Sequence, residues 1–304
     1  MKRTIITGAN GFIGSALTKR LLASGSEVWA VVREKNALKG IGSGNLHLVT
    51  AAFESYESLS SLIQERDFDV FYHFAWQGVF GDAFRDYELQ LKNATYACKA
   101  LMEAVKLRCK KFVFAGTYNE FEVKGFMDDT SYQPRYTCIY ASAKLTAELM
   151  CRTLAYQNGI TYHAGLPCMI YGENNRSEML PNIVLRQLLS GVEPRLIEGK
   201  NYYDLVYVED VAAAFEAIGE RGVNGKSYYV GHRKLSTFRE LLSDIRDIVA
   251  PDMGLNFGAF QDTSAMDYSR IALDELYRDT GFECTADFRE SILKTAEWLM
   301  QQKK

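Results

Sequence analysis

The N-terminal segment of this 304-residue chain constrains its fold more than any other part of the sequence. An apolar, β-branched run, Thr4–Thr7, leads directly into three glycines at three-residue spacing, Gly8, Gly11 and Gly14. Apolar residues at helical spacing follow at once. This order predicts a strand that turns tightly into a helix, which points unpaired backbone N–H groups at one place and favours an anion there.

We expect this turn to bind the pyrophosphate of a dinucleotide. One glycine makes the bend, one lets the pyrophosphate approach the backbone, and one lets the helix pack on the strand. The spacing differs from the general Gly-x-Gly-x-x-Gly fingerprint, so an ordinary glycine-rich turn without a ligand is the alternative. The residues expected to bind the cofactor here are Gly8, Asn10, Gly11, Phe12, Ile13 and Gly14.

The composition narrows the class of protein. The length suits one large α/β domain with a smaller companion, and a net charge of −3 gives no basic surplus for nucleic acid or an anionic membrane. No apolar run reaches the roughly 20 residues that span a bilayer. The six cysteines form no Cys-x-x-Cys pair and have no histidine at metal-ligand spacing. We therefore expect a cytoplasmic protein without a metal site.

Strand-like and helical segments alternate through the first half of the chain. The predicted strands are Thr4–Thr7, Glu27–Val32, His47–Val49, Val70–Phe74, Lys111–Ala115 and Thr161–Leu166. The predicted helices between them are Ser15–Ala23, Ser58–Glu65, Asn93–Leu107 and Tyr140–Gln157. This alternation predicts an α/β fold with a doubly wound parallel (Rossmann) sheet, whose ligand lies at the carboxyl ends of the strands.

The alternation lapses after Tyr171, which suggests a division of the chain. We expect residues 1–171, with a return segment at about 203–232, to form the dinucleotide-binding domain. Residues 172–202 and 233–304 are expected to form a smaller C-terminal substrate lobe.

The strongest catalytic signal is Tyr140 with Lys144, which share one helix face at i and i+4. A tyrosine that exchanges protons near neutrality must lower its pKa by about three, and an ammonium at about 4 Å supplies energy of that order. Such a pair is common by chance. The pair gains significance from its position, because it follows strand Lys111–Ala115 by one crossover. Thr117 lies at the end of that strand and can hold a substrate oxygen.

Together these segments resemble the extended short-chain dehydrogenase/reductases, and within them the nucleotide-sugar epimerase, dehydratase and reductase group. The resemblance covers nearly the whole chain. The matching motifs, in chain order, are Thr7–Gly14, His73–Trp76, Asn93, Thr117, Tyr140 with Lys144, Val206–Ala212 and Asp267–Phe282.

The resemblance implies a role for each of these residues. Tyr140 would be the acid/base, Lys144 would bind ribose and lower the tyrosine pKa, and Thr117 would orient the reacting oxygen. It adds cofactor contacts at Phe74, Ala75, Asn93, Tyr140, Lys144 and Pro167, and substrate contacts at Trp76, Thr117, Asn119, Met169 and Arg186. Asn93 could equally be structural, and Trp76 could equally serve packing. A homodimer through Asn93–Leu107 and Tyr140–Gln157 is also implied.

The cofactor is predicted to be NADP, with NAD as the alternative. Members that prefer NAD end the second strand with an acid, whereas Val32 stands here and is followed by Arg33 and then Lys35. Without the acid, and with a guanidinium next to its position, the end of this strand suits the 2′-phosphate of NADP. A solvated loop charge is the alternative interpretation of Arg33.

Two departures from the family pattern affect the substrate and the reaction. Met169 and Tyr203 stand where the family has polar side chains that contact the nucleotide. That contact would then have to come from another cation, and the candidates are Arg186, Arg239 and Arg270. Family dehydratases follow their threonine with Asp-Glu, whereas Tyr118-Asn119 stands here. We therefore expect a nucleotide-linked 4-keto-sugar reductase. The alternatives are a 4-epimerase with tightly held NAD, a reductase of a non-sugar carbonyl and a non-catalytic dinucleotide-binding regulator.

Overall fold

The computed structural model describes residues 2–34, 38, 40–42, 44–129, 134, 135, 137–262 and 266–302, so Lys35 lies outside the described residues. The strands are β1 Arg3–Thr7, β2 Glu27–Val32, β3 Leu46–Thr50, β4 Val70–His73, β5 Lys111–Ala115, β6 Thr161–Pro167, β7 Met169–Tyr171, β8 Arg195–Ile197, β9 Tyr202–Tyr203, β10 Leu205–Tyr207, β11 Ser227–Val230, β12 Ser236–Thr237 and β13 Asn256–Phe260. The helices are α1 Phe12–Ala23, α2 Leu59–Leu62, α3 Tyr87–Lys106, α4 Asn119–Asp128, α5 Cys138–Gln157, α6 Asn182–Leu189, α7 Val208–Arg221, α8 Phe238–Val249, α9 Glu275–Thr280 and α10 Phe288–Gln301.

Seven parallel strands form the central sheet in the order β11-β6-β5-β4-β1-β2-β3. The strands are apolar on both faces, because successive residues such as Ile5 and Ile6 enter two different buried clusters. One cluster contains side chains of α3 and α5, and the other contains side chains of α1 and α7. A parallel sheet covered by helices on both faces explains this pattern. The predicted doubly wound α/β fold is confirmed.

Strands β1 to β6 begin and end within one residue of the predicted positions. Helix α3 differs more, since it begins at Tyr87 rather than Asn93. Asp86 caps it by accepting the backbone N–H of Leu89 at 3.0 Å, which satisfies one of the unpaired donors of the first turn. Asp86 lies seven residues before the predicted start, and an aspartate is a common helix N-cap, so this residue was a sequence signal that the apolar periodicity did not include.

The C-terminal half builds a second, smaller core. Helices α6, α8 and α10 pack around Leu185, Leu242 and Ile292. Three short strand pairs border this core: β7 with β10, β8 with β13, and β9 with β12. Strand β11 instead pairs with β6 and so returns the chain to the main sheet.

Asp204 links these two regions. Its buried carboxylate accepts the Tyr229 hydroxyl at 2.7 Å and the backbone N–H of His232 at 2.8 Å, and the His232 ring lies at 2.7 Å. Asp204 therefore has a structural role at the end of β11, whereas Tyr203 lines a cavity described below. Among the described helices, none is both long enough and apolar enough to cross a membrane.

Candidate functional site

The turn between β1 and α1 admits no side chain at two of its glycines. Gly8 has a φ of +68°, and a Cβ there would lie 2.8 Å from the backbone nitrogen of Ala75. A Cβ on Gly14 would lie 2.2 Å from the carbonyl oxygen of Gly8. Glycine is therefore required for the bend and for the close packing of α1 on β1.

The start of α1 suits an anion. Its N-cap, Gly11, contributes no side-chain cap, and its first turn contains no acidic residue. The first backbone N–H groups of a helix have no partner within the helix, and the helix dipole favours negative charge beside them. The amides of Phe12 and Ile13 lie in this position. The turn thus fits the pyrophosphate of a dinucleotide.

A cavity of about 390 Å³ lies beside this turn, at the carboxyl ends of the central strands. The structure brings most of the predicted site residues to its wall. Those lining it are Gly8, Gly11, Phe12, Ile13, Gly14, Phe74, Trp76, Thr117, Asn119, Tyr140, Lys144, Pro167 and Met169. Segments from β1, β4, β5, β6 and α5 thus meet at one place.

A second cavity, of about 490 Å³, lies at the ends of β2 and β4. The predicted residues that line it are Gly8, Asn10, Gly11, Arg33, Phe74, Ala75 and Trp76. Tyr56, which the sequence did not single out, lines it as well. Arg33 lies close enough to oppose the rise that burial causes in the pKa of Tyr56. The guanidinium therefore acts within this cavity, where the adenosine half of a dinucleotide would extend from the glycine turn.

Tyr140 is held by its neighbours in the first cavity. Its hydroxyl hydrogen-bonds the Thr117 side chain, and its ring packs edge-on against Trp76 and Phe84. Burial raises the pKa of Tyr140, the negative charge of Glu120 raises it further, and the Thr117 hydrogen bond lowers it. In the protein alone the phenol thus keeps its proton at neutral pH.

Lys144 occupies a buried position beneath the tyrosine. Its ammonium donates to the Ala115 carbonyl at 2.7 Å and lies 3.9 Å from the centre of the Trp76 ring. The same nitrogen is 5.9 Å from the centre of the Tyr140 ring. Burial lowers the pKa of Lys144 to about 7, while the Glu120 carboxylate opposes this change. For Tyr140 the largest effect in the protein alone is burial, which raises the pKa and so opposes the decrease expected from the Lys144 ammonium.

Asn93 and Trp76 both hold the loop that follows β4. The Asn93 side chain accepts the backbone N–H of Gln77 at 3.0 Å and donates to its carbonyl at 2.8 Å. The indole N–H of Trp76 donates to Gln90 at 2.8 Å. Asn93 is fully buried and is not among the described residues that line either cavity. These contacts favour the structural interpretation of Asn93, and its contact with the cofactor stays a prediction.

A third cavity, of about 420 Å³, continues from Tyr118 between the sheet and the C-terminal core. Its guanidinium groups belong to Arg135 and Arg195. Arg135 is oriented by two hydrogen bonds of 2.6 Å to the buried Glu122. Sequence reasoning missed both arginines. The available signal for Arg135 was its position five residues before Tyr140.

The three arginines that the sequence suggested do not line this cavity. Arg239 donates to the Glu198 carbonyl at 2.8 Å, and Arg270 pairs with Asp128. Arg186 lies on α6 beside cavity residues but is not itself among them. In the described part of the chain, no cluster of three or more His, Cys, Asp or Glu side chains could hold a metal ion.

Comparisons with known proteins agree with this architecture. The trifunctional UDP-glucose 4,6-dehydratase/UDP-4-keto-6-deoxy-D-glucose 3,5-epimerase/UDP-4-keto-L-rhamnose-reductase of Arabidopsis thaliana is 28% identical over 325 residues, which cover 99% of this chain and 47% of that protein. The chain thus spans about half the length of this curated relative.

Two solved structures share the fold. The UDP-glucose 4-epimerase of Thermotoga maritima, determined with UDP-glucose, has a TM-score of 0.77 at 21% identity and covers 99% of this chain and 100% of its own. The Bordetella bronchiseptica enzyme WbmF, determined with NADH, has a TM-score of 0.78 at 20% identity, with coverage of 99% and 93%. At these identities the likeness shows the fold alone.

The sequence itself matches a family model over most of its length. The model is described as the NAD dependent epimerase/dehydratase family, and the match covers residues 4–231. That region contains the glycine turn, Thr117, Tyr140 and Lys144. The chain belongs to the NAD dependent epimerase/dehydratase family.

Proposed function

We propose that this protein reduces a keto group, at C4, on a nucleotide-linked sugar. The observation that carries the proposal is the single cavity in which the glycine turn, Thr117, Tyr140 and Lys144 meet. Tyr140 donates a proton to the carbonyl oxygen, Thr117 fixes that oxygen, and Lys144 binds the cofactor ribose. A bound nicotinamide cofactor supplies the hydride.

The ionisation of Tyr140 supports reduction. A general acid must carry its proton at the working pH, and burial together with Glu120 raises the pKa of this phenol. None of the described residues lining the 390 Å³ cavity has a carboxylate. A dehydratase that shuttles protons through an Asp-Glu pair would lack its acid and base here, since Tyr118 and Asn119 occupy those places.

Arg33 supports NADPH as the reductant. The end of β2 presents Val32 rather than a carboxylate, and Arg33 lines the same cavity. An arginine binds a phosphate through two parallel hydrogen bonds, whereas a carboxylate at this position would repel a 2′-phosphate. The third cavity, with Arg135 and Arg195, offers a place for the diphosphate and nucleoside of the sugar nucleotide.

The main alternative is a 4-epimerase with tightly held NAD, which uses the same residues and returns the hydride to the opposite face of the sugar. Reduction of a non-sugar carbonyl would agree with Met169 and Tyr203, which stand where the family has side chains that contact the nucleotide. A non-catalytic regulator is disfavoured because Thr117, Tyr140 and Lys144 all line one cavity.

We further propose that the protein is a homodimer and that it is located in the cytoplasm.

The purified protein distinguishes these functions in two assays. With UDP-4-keto-6-deoxy-D-glucose as probe, we expect NADPH to be oxidised, and more slowly when NADH replaces it. With UDP-glucose and no added cofactor, we expect no epimer to form. Retained NAD together with epimerisation of UDP-glucose would replace the reductase proposal with the epimerase. Absence of both activities would contradict both.

A further inference from the structure

Two carboxyl groups are buried together behind the catalytic cavity. Glu120 on α4 is fully buried, and Glu148 on α5 is 2% exposed. One oxygen of each is satisfied: Glu120 accepts the backbone N–H of Thr117, and Glu148 accepts the Ser227 hydroxyl, both at 2.8 Å. The other oxygen of each, Oε2, is buried without a donor. The two groups lie within hydrogen-bonding reach of each other.

The surroundings of the pair are specific. A Cβ on Gly116 would lie 2.5 Å from the Glu120 carboxyl, so the glycine makes room for it. The charged and titratable groups facing Glu120 are Glu148, Lys144, Tyr140 and Tyr162, and those facing Glu148 include Tyr162 and Cys151. Tyr140, Lys144 and Glu148 follow one another at four-residue intervals, on one face of α5.

Two carboxylates buried side by side cannot both be charged, because neither is solvated and they repel each other. One proton between them satisfies both orphan oxygens through a single O–H···O bond. The pair then carries one negative charge, which balances the buried Lys144 ammonium.

We propose that Glu120 and Glu148 share one proton, and that this proton moves toward Glu120 when Tyr140 gives up its own. Loss of the tyrosine proton creates a negative charge that faces Glu120. Transfer of the shared proton from Glu148 to Glu120 places the negative charge of the pair on Glu148, which lies two helical turns from Tyr140 on α5, about 12 Å along the helix axis. No electron is transferred, and the charge of the pair remains one. Both glutamates are positioning residues, and the inference rests on the catalytic role proposed for Tyr140.

The two single variants should move the pH dependence in opposite directions. In Glu120→Gln the phenol loses a nearby negative charge, so we expect its pKa to fall and reduction to decline at lower pH. In Glu148→Gln the remaining Glu120 carries the full charge, so we expect the decline at higher pH. Shifts of about one pH unit suit one charge in a partly screened interior. The readout is the pH profile of kcat/KM with UDP-4-keto-6-deoxy-D-glucose and NADPH.

Glu103→Gln provides the control. Glu103 is equally buried, but it lies on α3 and accepts Ser60 N–H and the Lys106 ammonium away from the cavity. Its profile should match that of the wild type. Shifts of Glu120→Gln and Glu148→Gln in the same direction, or no shift in either, would overturn the proposal.

Infrared spectroscopy tests the shared proton without any turnover. At pH about 7, well above the ordinary glutamate pKa of about 4.3, the wild type should show the carbonyl stretch of a protonated carboxyl group, and the double variant E120Q/E148Q should lack it. Absence of that band in the wild type refutes the shared proton. If no sugar nucleotide is turned over, the proposed function fails, and the infrared result still decides whether the pair is protonated.

Discussion

Tyr140 is surrounded by groups with opposing effects on its ionisation. Burial and Glu120 raise the pKa of the phenol, and Thr117 lowers it, so that the side chain retains its proton at neutral pH. The hydroxyl is therefore the part of this residue that the proposed reduction needs, while its ring packs edge-on against Trp76 and Phe84.

Tyr140→Phe removes this hydroxyl and keeps the ring. We expect kcat to fall about 10²-fold or more, the range of a general acid, with an unchanged Kd for NADPH. Steady-state kinetics and fluorescence titration measure the two quantities. Tyr156→Phe, on the exposed end of the same helix, is the control and should behave as wild type. Full activity of Tyr140→Phe would remove the catalytic assignment.

Arg33→Ala tests the choice of cofactor. Loss of a charge-assisted pair with the 2′-phosphate should weaken NADPH binding by about 1.5–3 kcal/mol and leave NADH binding nearly unchanged. Fluorescence titration with both nucleotides gives the ratio. Arg278, an exposed arginine on α9, supplies the control variant Arg278→Ala. Equal weakening for both nucleotides would show that Arg33 does not discriminate between them.

The sequence predicted which residues form the candidate site, but it did not predict the contacts that set the pKa values of their side chains. The sequence places Tyr140 and Lys144 on one helix face because i and i+4 residues are always neighbours there. It does not show that the Lys144 ammonium donates to the Ala115 carbonyl and lies over the Trp76 ring. Nor does it show that the Glu120 carboxylate accepts the backbone N–H of Thr117. Those contacts arise from packing between distant segments, which no local pattern encodes.

Elements were predicted well wherever buried strands alternate with amphipathic helices. Strands β2 and β5 have the predicted bounds. Helix α4 was missed because its first turns carry two buried acids, Glu120 and Glu122, at positions where a sequence pattern indicates solvent. Their partners, Glu148 and Arg135, lie on or just before α5 and become visible only after the chain has folded.

Replacing a helical glycine by alanine is expected to change the stability of the fold in opposite directions at Gly14 and Gly125. At Gly14 a Cβ would lie 2.2 Å from the Gly8 carbonyl, so Gly14→Ala should destabilise the fold by about 1–3 kcal/mol and weaken NADPH binding. Gly125, on α4, has open space around its Cβ position, and Gly125→Ala should stabilise the protein by about 0.5–1 kcal/mol through helix propensity. Chemical denaturation measures both. A harmless Gly14→Ala would contradict the close packing of α1 on β1.

At the scale of the whole molecule, α3 and α5 present two different faces. Small residues such as Ala97 and Ala147 pack toward the sheet, while Leu91, Leu149 and Met150 remain about half exposed on the outside. Each helix has 20 residues and is therefore about 30 Å long. Two such helices from each of two chains offer the area of a standard interface, roughly 1,200–2,000 Å² in total.

We therefore expect a dimer in which these outer faces meet around a two-fold axis. A buried charge without a partner is costly, so Leu149→Asp should convert the dimer to a monomer while the fold is retained. Leu62 has similar exposure but lies on α2, and Leu62→Asp should remain dimeric. Sedimentation equilibrium gives the mass of each variant, and circular dichroism checks the fold. If the wild-type protein sediments as a monomer, the predicted dimer is wrong, and self-association does not explain the exposed apolar side chains of α3 and α5.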